Sequence, residues 1–286
     1  MRGPALLAAA LLALMAHPCD GVAMVGLGGS KSTDAPVAIE AEDGIEWQQA
    51  KQTYTARGNA KATQGDTSVR ADALTAHYRT AKGGDTEIWR IDADGNVRIN
   101  SAARWATGEK GVYDVDKGVL VLTGKVVRLE SQTEKIRANQ SLEYFEQRRI
   151  AVARGGAVAT KDGRELRADV LTAHMRENKQ GQLEMARIEA FGNVEVATAS
   201  EVARAQYGDY NPDSGIANLA GGVKITRGQN QLNGEFAEVN MKTGVSRLLS
   251  QPKPGTGASG RVRGVFQPKT APTPANPSAP ATPPAQ

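Results

Sequence analysis

Arg70-Ala71-Asp72-Ala73-Leu74-Thr75-Ala76-His77 returns 97 residues later as Arg167-Ala168-Asp169-Val170-Leu171-Thr172-Ala173-His174, with seven of eight positions identical. The same offset carries Gly58-Asn59-Ala60 onto Gly155-Gly156-Ala157, Gly95-Asn96-Val97 onto Gly192-Asn193-Val194, and Gly124-Lys125-Val126 onto Gly221-Gly222-Val223. It also carries Ile39, Ala41, Ile45 and Trp47 onto Ile136, Ala138, Leu142 and Tyr144. The chain is therefore a tandem duplication, and each copy contains smaller repeats of its own.

Those smaller repeats read as strands. Around the glycines at 58, 95, 124, 155, 192 and 221, apolar residues recur two and four places to either side, as with Tyr54, Ala56, Ala60 and Ala62 about Gly58. Residues two apart share a face of a strand, so each glycine centre carries one apolar stripe. In the quoted stretch the stripe slips: Val69 and Ala71 are followed by Leu74, Ala76 and Tyr78, a step of three. A β-bulge or a sharp corner keeps one face inward across such a slip. The expected fold is all-β, an elongated antiparallel stack of short strands folded over along its length as an open jelly roll, tandemly duplicated.

The inward positions are small. Alanine occupies positions 56, 60, 62, 76, 151, 153, 157, 159 and 173, and aromatics make up only 5% of the chain. Sheets lined this way either approach closely over alanine or leave an apolar groove, because a self-filled core at native density uses larger side chains. On the groove reading its lining includes Tyr54, Val97, Ile99, Leu120, Leu122, Val126, Val194 and Val196.

The ends differ from the middle. Arg2 and the apolar run Ala5–Ala16, followed by Gly21-Val22-Ala23, read as a cleaved signal peptide over residues 1–23, and the run falls well short of the ~20 residues that span a bilayer. The only cysteine, Cys19, goes with it, so no disulfide framework is expected. Residues 24–35 read as a linker, 36–133 and 134–250 as the two β repeats, and 251–286 as a disordered Pro/Ala-rich tail. Within that tail Arg261-Val262-Arg263-Gly264-Val265-Phe266 is an apolar island, read either as a stray patch or as a short strand docked on a sheet edge. A net charge of +4 and a pI of about 9.1 come from scattered basic residues, which does not indicate nucleic acid.

Catalytic chemistry is missing from the pattern. His77 and His174 lie on the outward side of their strands a whole repeat apart, which argues against a metal site. Glu40 with Glu42 and Asp92 with Asp94 alternate with apolar neighbours as solvated faces do. No phosphate-binding glycine loop, catalytic triad or cysteine nucleophile is recognisable. Neither an enzyme nor a cofactor is expected.

The stretches Thr33–Glu40, Tyr54–Ala60, Thr63-Gln64-Gly65, Val69–Asp72, Gly111-Val112-Tyr113 and Val121–Gly124, in that order and spacing, resemble the LptA/OstA-like family of lipopolysaccharide-transport proteins. The likeness covers roughly residues 33–155, and the internal repeat extends it to about 245. The resemblance implies a periplasmic, folded-over β "taco" whose groove carries the acyl chains of lipopolysaccharide. It further implies LptC-like and LptD-like partners through edge-strand pairing, and head-to-tail homo-oligomers. Carried over residue by residue, it places Thr33, Val37 and Ile39 at the partner edge, and Val37, Ile39, Tyr113 and Val115 in the groove. Alternatives are an LptC-like or LptD N-terminal-like component of the same system, or, from another class, a β-solenoid enzyme acting on polysaccharide. That enzyme would need a carboxylate cluster on one face, which the sequence does not supply.

Overall fold

The computed structural model describes residues 37–81, 84, 86–101, 104–179, 183–240, 242–243, 245–250 and 261–265. The predicted signal peptide, the linker with Thr33, and most of the 251–286 tail lie outside the described residues. The first repeat forms β1 (Ala38–Glu40), β2 (Gly44–Gln48), β3 (Thr53–Gln64), β4 (Thr67–Thr80), β5 (Thr86–Ser101), β6 (Arg104–Asp114), β7 (Val119–Thr123) and β8 (Val127–Ser131). The second forms β9 (Glu134–Ala138), β10 (Ser141–Phe145), β11 (Ile150–Lys161), β12 (Arg164–Glu177), β13 (Leu183–Ala197), β14 (Val202–Asn211) and β15 (Ile216–Arg227). Then come β16 (Asn230–Asn240), β17 (Val245–Leu249) and β18 (Arg263–Val265). A 3-10 turn, Gln49–Lys51, separates β2 from β3.

The sequence predicts short strands; β3 to β6 and β11 to β16 instead run 10 to 16 residues each. The difference lies at the glycine centres, which bend strands without ending them. In the β3–β4 ladder Arg57 faces Ala73 and Ala60 faces Ala71, so Gly58 and Asn59 together oppose Asp72 alone. The same two-against-one break recurs with Gly95-Asn96 against Glu109, Gly155-Gly156 against Asp169, Gly192-Asn193 against Gln206, and Gly221-Gly222 against Glu235. Gly58 and Asn59 have φ of 76° and 45°, left-handed values that glycine adopts freely and asparagine tolerates. The quoted motif supplies the facing residue: Asn96 Nδ2 donates to both carboxylate oxygens of Asp72 at 3.1 and 3.0 Å, and Asn193 Nδ2 donates to Asp169 at 2.9 Å.

These breaks align into one crease, and the sheet folds over along it into two leaves. The first leaf contains β2, β7, β10 and β17; the second contains β1, β8, β9 and β18; each long strand gives one half to each leaf. Pairing is antiparallel throughout, and all 18 described strands belong to one sheet. The two repeats share this sheet, because β10 pairs with β7 and β9 with β8. The apolar stripes of both leaves face each other as one continuous cluster through both repeats.

The ion pairs seen on the outer surface repeat with the duplication and join strands within a leaf. Arg79 reaches Glu87 at 2.9 Å and Asp116 at 2.7 Å, and 97 residues on Arg176 reaches Glu184 at 2.7 Å and also Asp213. The island in the tail is a strand: β18 pairs with the second-leaf half of β16, Leu232 against Gly264, while β17 covers the first-leaf half. Together they take the place that one unbroken strand, β3 or β11, takes in each repeat.

Candidate ligand-binding groove

Alternation builds the groove from both leaves. Leu120, Leu122, Leu142 and Tyr144 point inward from the first leaf and Ile99, Ala106, Leu129 and Ile136 from the second, and these eight line an apolar cavity of about 140 Å³. It sits where the first repeat meets the second, and Ala151, Ala153, Ala159 and Met185 extend it into the second. A cavity of about 60 Å³ lies in the first repeat, bounded by Val37, Ala62, Val69, Leu74, Val97 and Tyr113, and shares Ile99 and Leu120 with the larger one. For scale, an apolar cavity of ~150 Å³ stays dry and accepts a small hydrocarbon.

The interior is narrower than an open trough. In the second repeat Val194, Val196, Val223 and Val239 are all 2% exposed or less and border neither cavity, so the leaves approach closely there over alanine and valine. Both sequence readings thus hold in different places, close approach in the second repeat and a gap at the junction. Among the hydrogen bonds and ion pairs seen between side chains, those at the rims stay within one leaf. Apolar contact is what holds the leaves together there.

The two lips of the groove differ in chemistry. Along the first leaf the inward residues nearest the rim are Tyr78, Tyr113, Tyr144, Met175 and Tyr210, all buried. The Tyr113 hydroxyl donates to Glu146 Oε1 at 3.2 Å, and burial pushes both its pKa and that of Glu146 upward. The Tyr210 hydroxyl is buried and has no hydrogen-bond partner among the described residues. At the start of the chain Trp47 Nε1 donates to Tyr78 Oη at 2.7 Å, and Trp47, Tyr54 and Tyr78 stack in series with ring centroids 5.8 and 4.9 Å apart.

The lip of the second leaf is ionic. The inward stripe reaches it as Arg104, Glu134, Lys161, Arg164 and Arg227, each two residues from an inward apolar side chain of its own strand, and as Glu201, which precedes β14 two residues before the inward Ala203. Glu134 binds Lys161 at 2.7 Å and Arg104 at 3.6 Å, and Glu201 binds Arg227 at 3.3 Å. The Glu201 side chain is 1% exposed, its Oε2 lacks a partner, and burial raises its pKa against the opposing pull of Arg227.

Of the residues the sequence places in the groove, Val97, Ile99, Tyr113, Leu120, Leu122, Val194 and Val196 are buried on the inner face, and Val37 and Ile39 lie at its open end. Tyr54 is inward but borders neither cavity. Two placements need correction. Val115 sits in the turn after β6, 38% exposed, because the strand ends at Asp114 before another inward position comes round. Val126 lies in the crease between β7 and β8, and Val127, 0% exposed and paired with Ala138, takes the inward position, since this crossing is one residue longer than its counterpart at Gly221-Gly222. Missed were Leu129, Ile136, Leu142 and Met185; the offset that matches Ile39 and Ile45 to Ile136 and Leu142 was the signal for two of them. On the outer face His77 meets Asp92 at 2.8 Å and His174 meets Glu189 at 2.7 Å.

The sequence profile of a family described as "LptA/(LptD N-terminal domain) LPS transport protein" matches residues 38–140 and again 135–245. An uncharacterized protein of Rhizobium meliloti (strain 1021) is 34% identical over 102 residues, covering 34% of this chain and 54% of that protein. The chain thus spans about half the length of that relative. The crystal structure of LptH, the LptA-homologous periplasmic component of the lipopolysaccharide transport device of Pseudomonas aeruginosa, aligns over 82% of this chain and 98% of its own at 13% identity. Its TM-score of 0.21 lends that alignment no weight.

Proposed function

We propose that this chain, which belongs to the LptA/LptD N-terminal-domain family of lipopolysaccharide transport proteins, is a periplasmic bridge that carries lipopolysaccharide between membranes by passing its acyl chains along the crease between the two leaves. The family consists of transport components, not enzymes. The observation that carries the bridge reading is the cavity at the repeat junction, lined by apolar side chains of both leaves.

Burying one methylene yields ~0.8 kcal/mol, so an acyl chain of a dozen carbons binds firmly once inside. A chain enters only where the leaves part. The rim contacts do not cross between leaves, and the crease is built on Gly-Asn and Gly-Gly pairs, so parting exchanges side-chain contact for lipid contact at little net cost. Near-identical rungs then offer the cargo similar contacts at each step, which lets it move on.

The first edge supports docking of a neighbour. Ile45 and Trp47 are 54% and 60% exposed, whereas their counterparts Leu142 and Tyr144 are covered by β7. An LptC-like component, or a second copy of this chain, would add a strand there, and an LptD-like component would meet the far edge. Filling the junction cavity is the test. Ala159→Phe is expected to leave the protein folded and to weaken binding of lipopolysaccharide about tenfold or more, a loss equal to two buried methylenes. Unchanged binding would remove the groove as the path.

A further inference from the structure

The ionic lip of the second leaf is not needed for a greasy furrow, and inward charges beside an apolar interior are costly to place. Five successive hairpins present it. Arg104 follows the β5–β6 turn, Glu134 the β8–β9 turn, Lys161 and Arg164 flank the β11–β12 turn, Glu201 follows the β13–β14 turn, and Arg227 precedes the β15–β16 turn. Neighbouring hairpins lie about two strand spacings, roughly 10 Å, apart. Cations and carboxylates alternate along the lip, and four cations stand against two carboxylates.

Their positions on the inward stripe carry these side chains to the rim of the groove, where Arg104, Glu134, Lys161 and Glu201 are largely shielded from solvent and Arg227 is 43% exposed. Gln64 and Thr67, which pair across the β3–β4 turn and lie 97 residues before Lys161 and Arg164, line the first-repeat cavity. Lys161 and Arg164 pair in the same way across their own turn. Long charged side chains at strand ends are ordinarily well exposed, yet Arg104 is 11% exposed and Lys161 16%. Their ion pairs with Glu134 hold them along the rim of the second leaf.

Among the described residues two buried polar atoms near the rims also lack partners, one on each lip. Glu201 precedes β14 on the second leaf and Tyr210 lies near the other end of that strand on the first, and neither Glu201 Oε2 nor the Tyr210 hydroxyl finds a hydrogen bond. Burying each without a partner is costly unless a further group meets it.

We infer that the lip formed by Arg104, Lys161, Arg164 and Arg227 is a headgroup site, binding the anionic phosphates of an amphiphile whose acyl chains occupy the groove. Glu134 and Glu201 keep the cations oriented inward while the site is empty, and hydroxyls of a sugar headgroup reach the unpaired oxygens of Glu201 and Tyr210. Because the cations recur along the lip, a headgroup leaving one meets the next as its chains slide. The lip deepens the transport reading and rests on it.

The test compares a phosphorylated acyl glycolipid with the same glycolipid after removal of its phosphates, using the full chain. The native protein is expected to bind the phosphorylated form about tenfold more tightly, as charge-assisted hydrogen bonds require. Lys161→Met with Arg164→Met keeps the apolar stems, and is expected to bring that ratio near one while affinity for the dephosphorylated form stays unchanged. Lys161→Arg with Arg164→Lys is expected to restore it. Inorganic phosphate at matched concentration is expected not to compete, since it lacks chains to anchor it. An unaltered ratio in the Met variant, no preference in the native protein, or full competition by inorganic phosphate would overturn the headgroup site. If the native protein bound neither glycolipid, the transport reading itself would fall, an outcome separate from a flat ratio between two bound ligands.

Discussion

Gly95 shows how much one residue decides. Its φ is +77°, and a Cβ there would collide with the Asp72 carboxylate that Asn96 also grips. Gly95→Ala is therefore expected to lose roughly 2–4 kcal/mol by urea denaturation, combining left-handed backbone cost with overpacking. Gly222→Ala, with φ of +62° and nothing within 4 Å of its Cβ, is expected to lose only the backbone part, about 1–2 kcal/mol. Equal losses would mean that Asp72 does not crowd the crease. Glu201 gives a pH prediction. Its pKa is raised in the folded state by burial, with Arg227 the one charge opposing, so the folded protein holds a proton that the unfolded chain has released. Native stability should then fall as pH rises from the usual glutamate range through the raised value, and stay level above it. Glu201→Gln is expected to flatten that decline, giving the higher melting temperature at pH 8 and no advantage at pH 4; parallel profiles would show that the carboxylate is already satisfied. Residue-level reading of the sequence succeeded where side chains alternate, as at Val97 and Ile99. It failed at Val126 because a single extra residue in one crease moves every later side chain to the other face.

Among the elements, the quoted motif and the glycine centres looked like two kinds of strand in sequence, and the structure makes them the two sides of one crease. The sequence could not show this, because Gly-Asn serves equally as a hairpin turn and as a mid-strand bend; the pairing partner, Asp72 or Glu109, decides. The three-residue β18 is the weakest element. All its residues are exposed, and Gly264 offers no side chain to Leu232, so only backbone bonding to β16 holds it. Arg263→Pro with Gly264→Pro removes an amide on either side of that strand. Hydrogen exchange is then expected to quicken at Gln231–Asn233 and nowhere else; unchanged protection there would show that β18 is not docked in solution. At the opposite edge, Val37→Lys with Ile45→Lys is expected to weaken concentration-dependent association, since lysine is a native device for guarding edges, without altering the melting temperature. Association that persists in that variant would place the contact elsewhere.

At the scale of the molecule, duplication makes a single folded-over sheet with one apolar interior, and the proposed transport requires its leaves to part and admit an acyl chain. The duplicated stripes made the two-leaved fold readable before any coordinates. How tightly the leaves close was not readable, because alanine permits both close approach and a gap, and the junction, where half-strands β7 to β10 meet, keeps one of about 140 Å³. Site-specific photo-crosslinking to lipopolysaccharide tests the parting directly. A photoreactive residue at Leu129, Ile136 or Leu142, all partly buried on the inner face, is expected to form lipid adducts, while one at the outward Arg128 or Arg137 is expected to form none. Adducts on the outer positions alone, or an even yield across both sets, would contradict passage between the leaves.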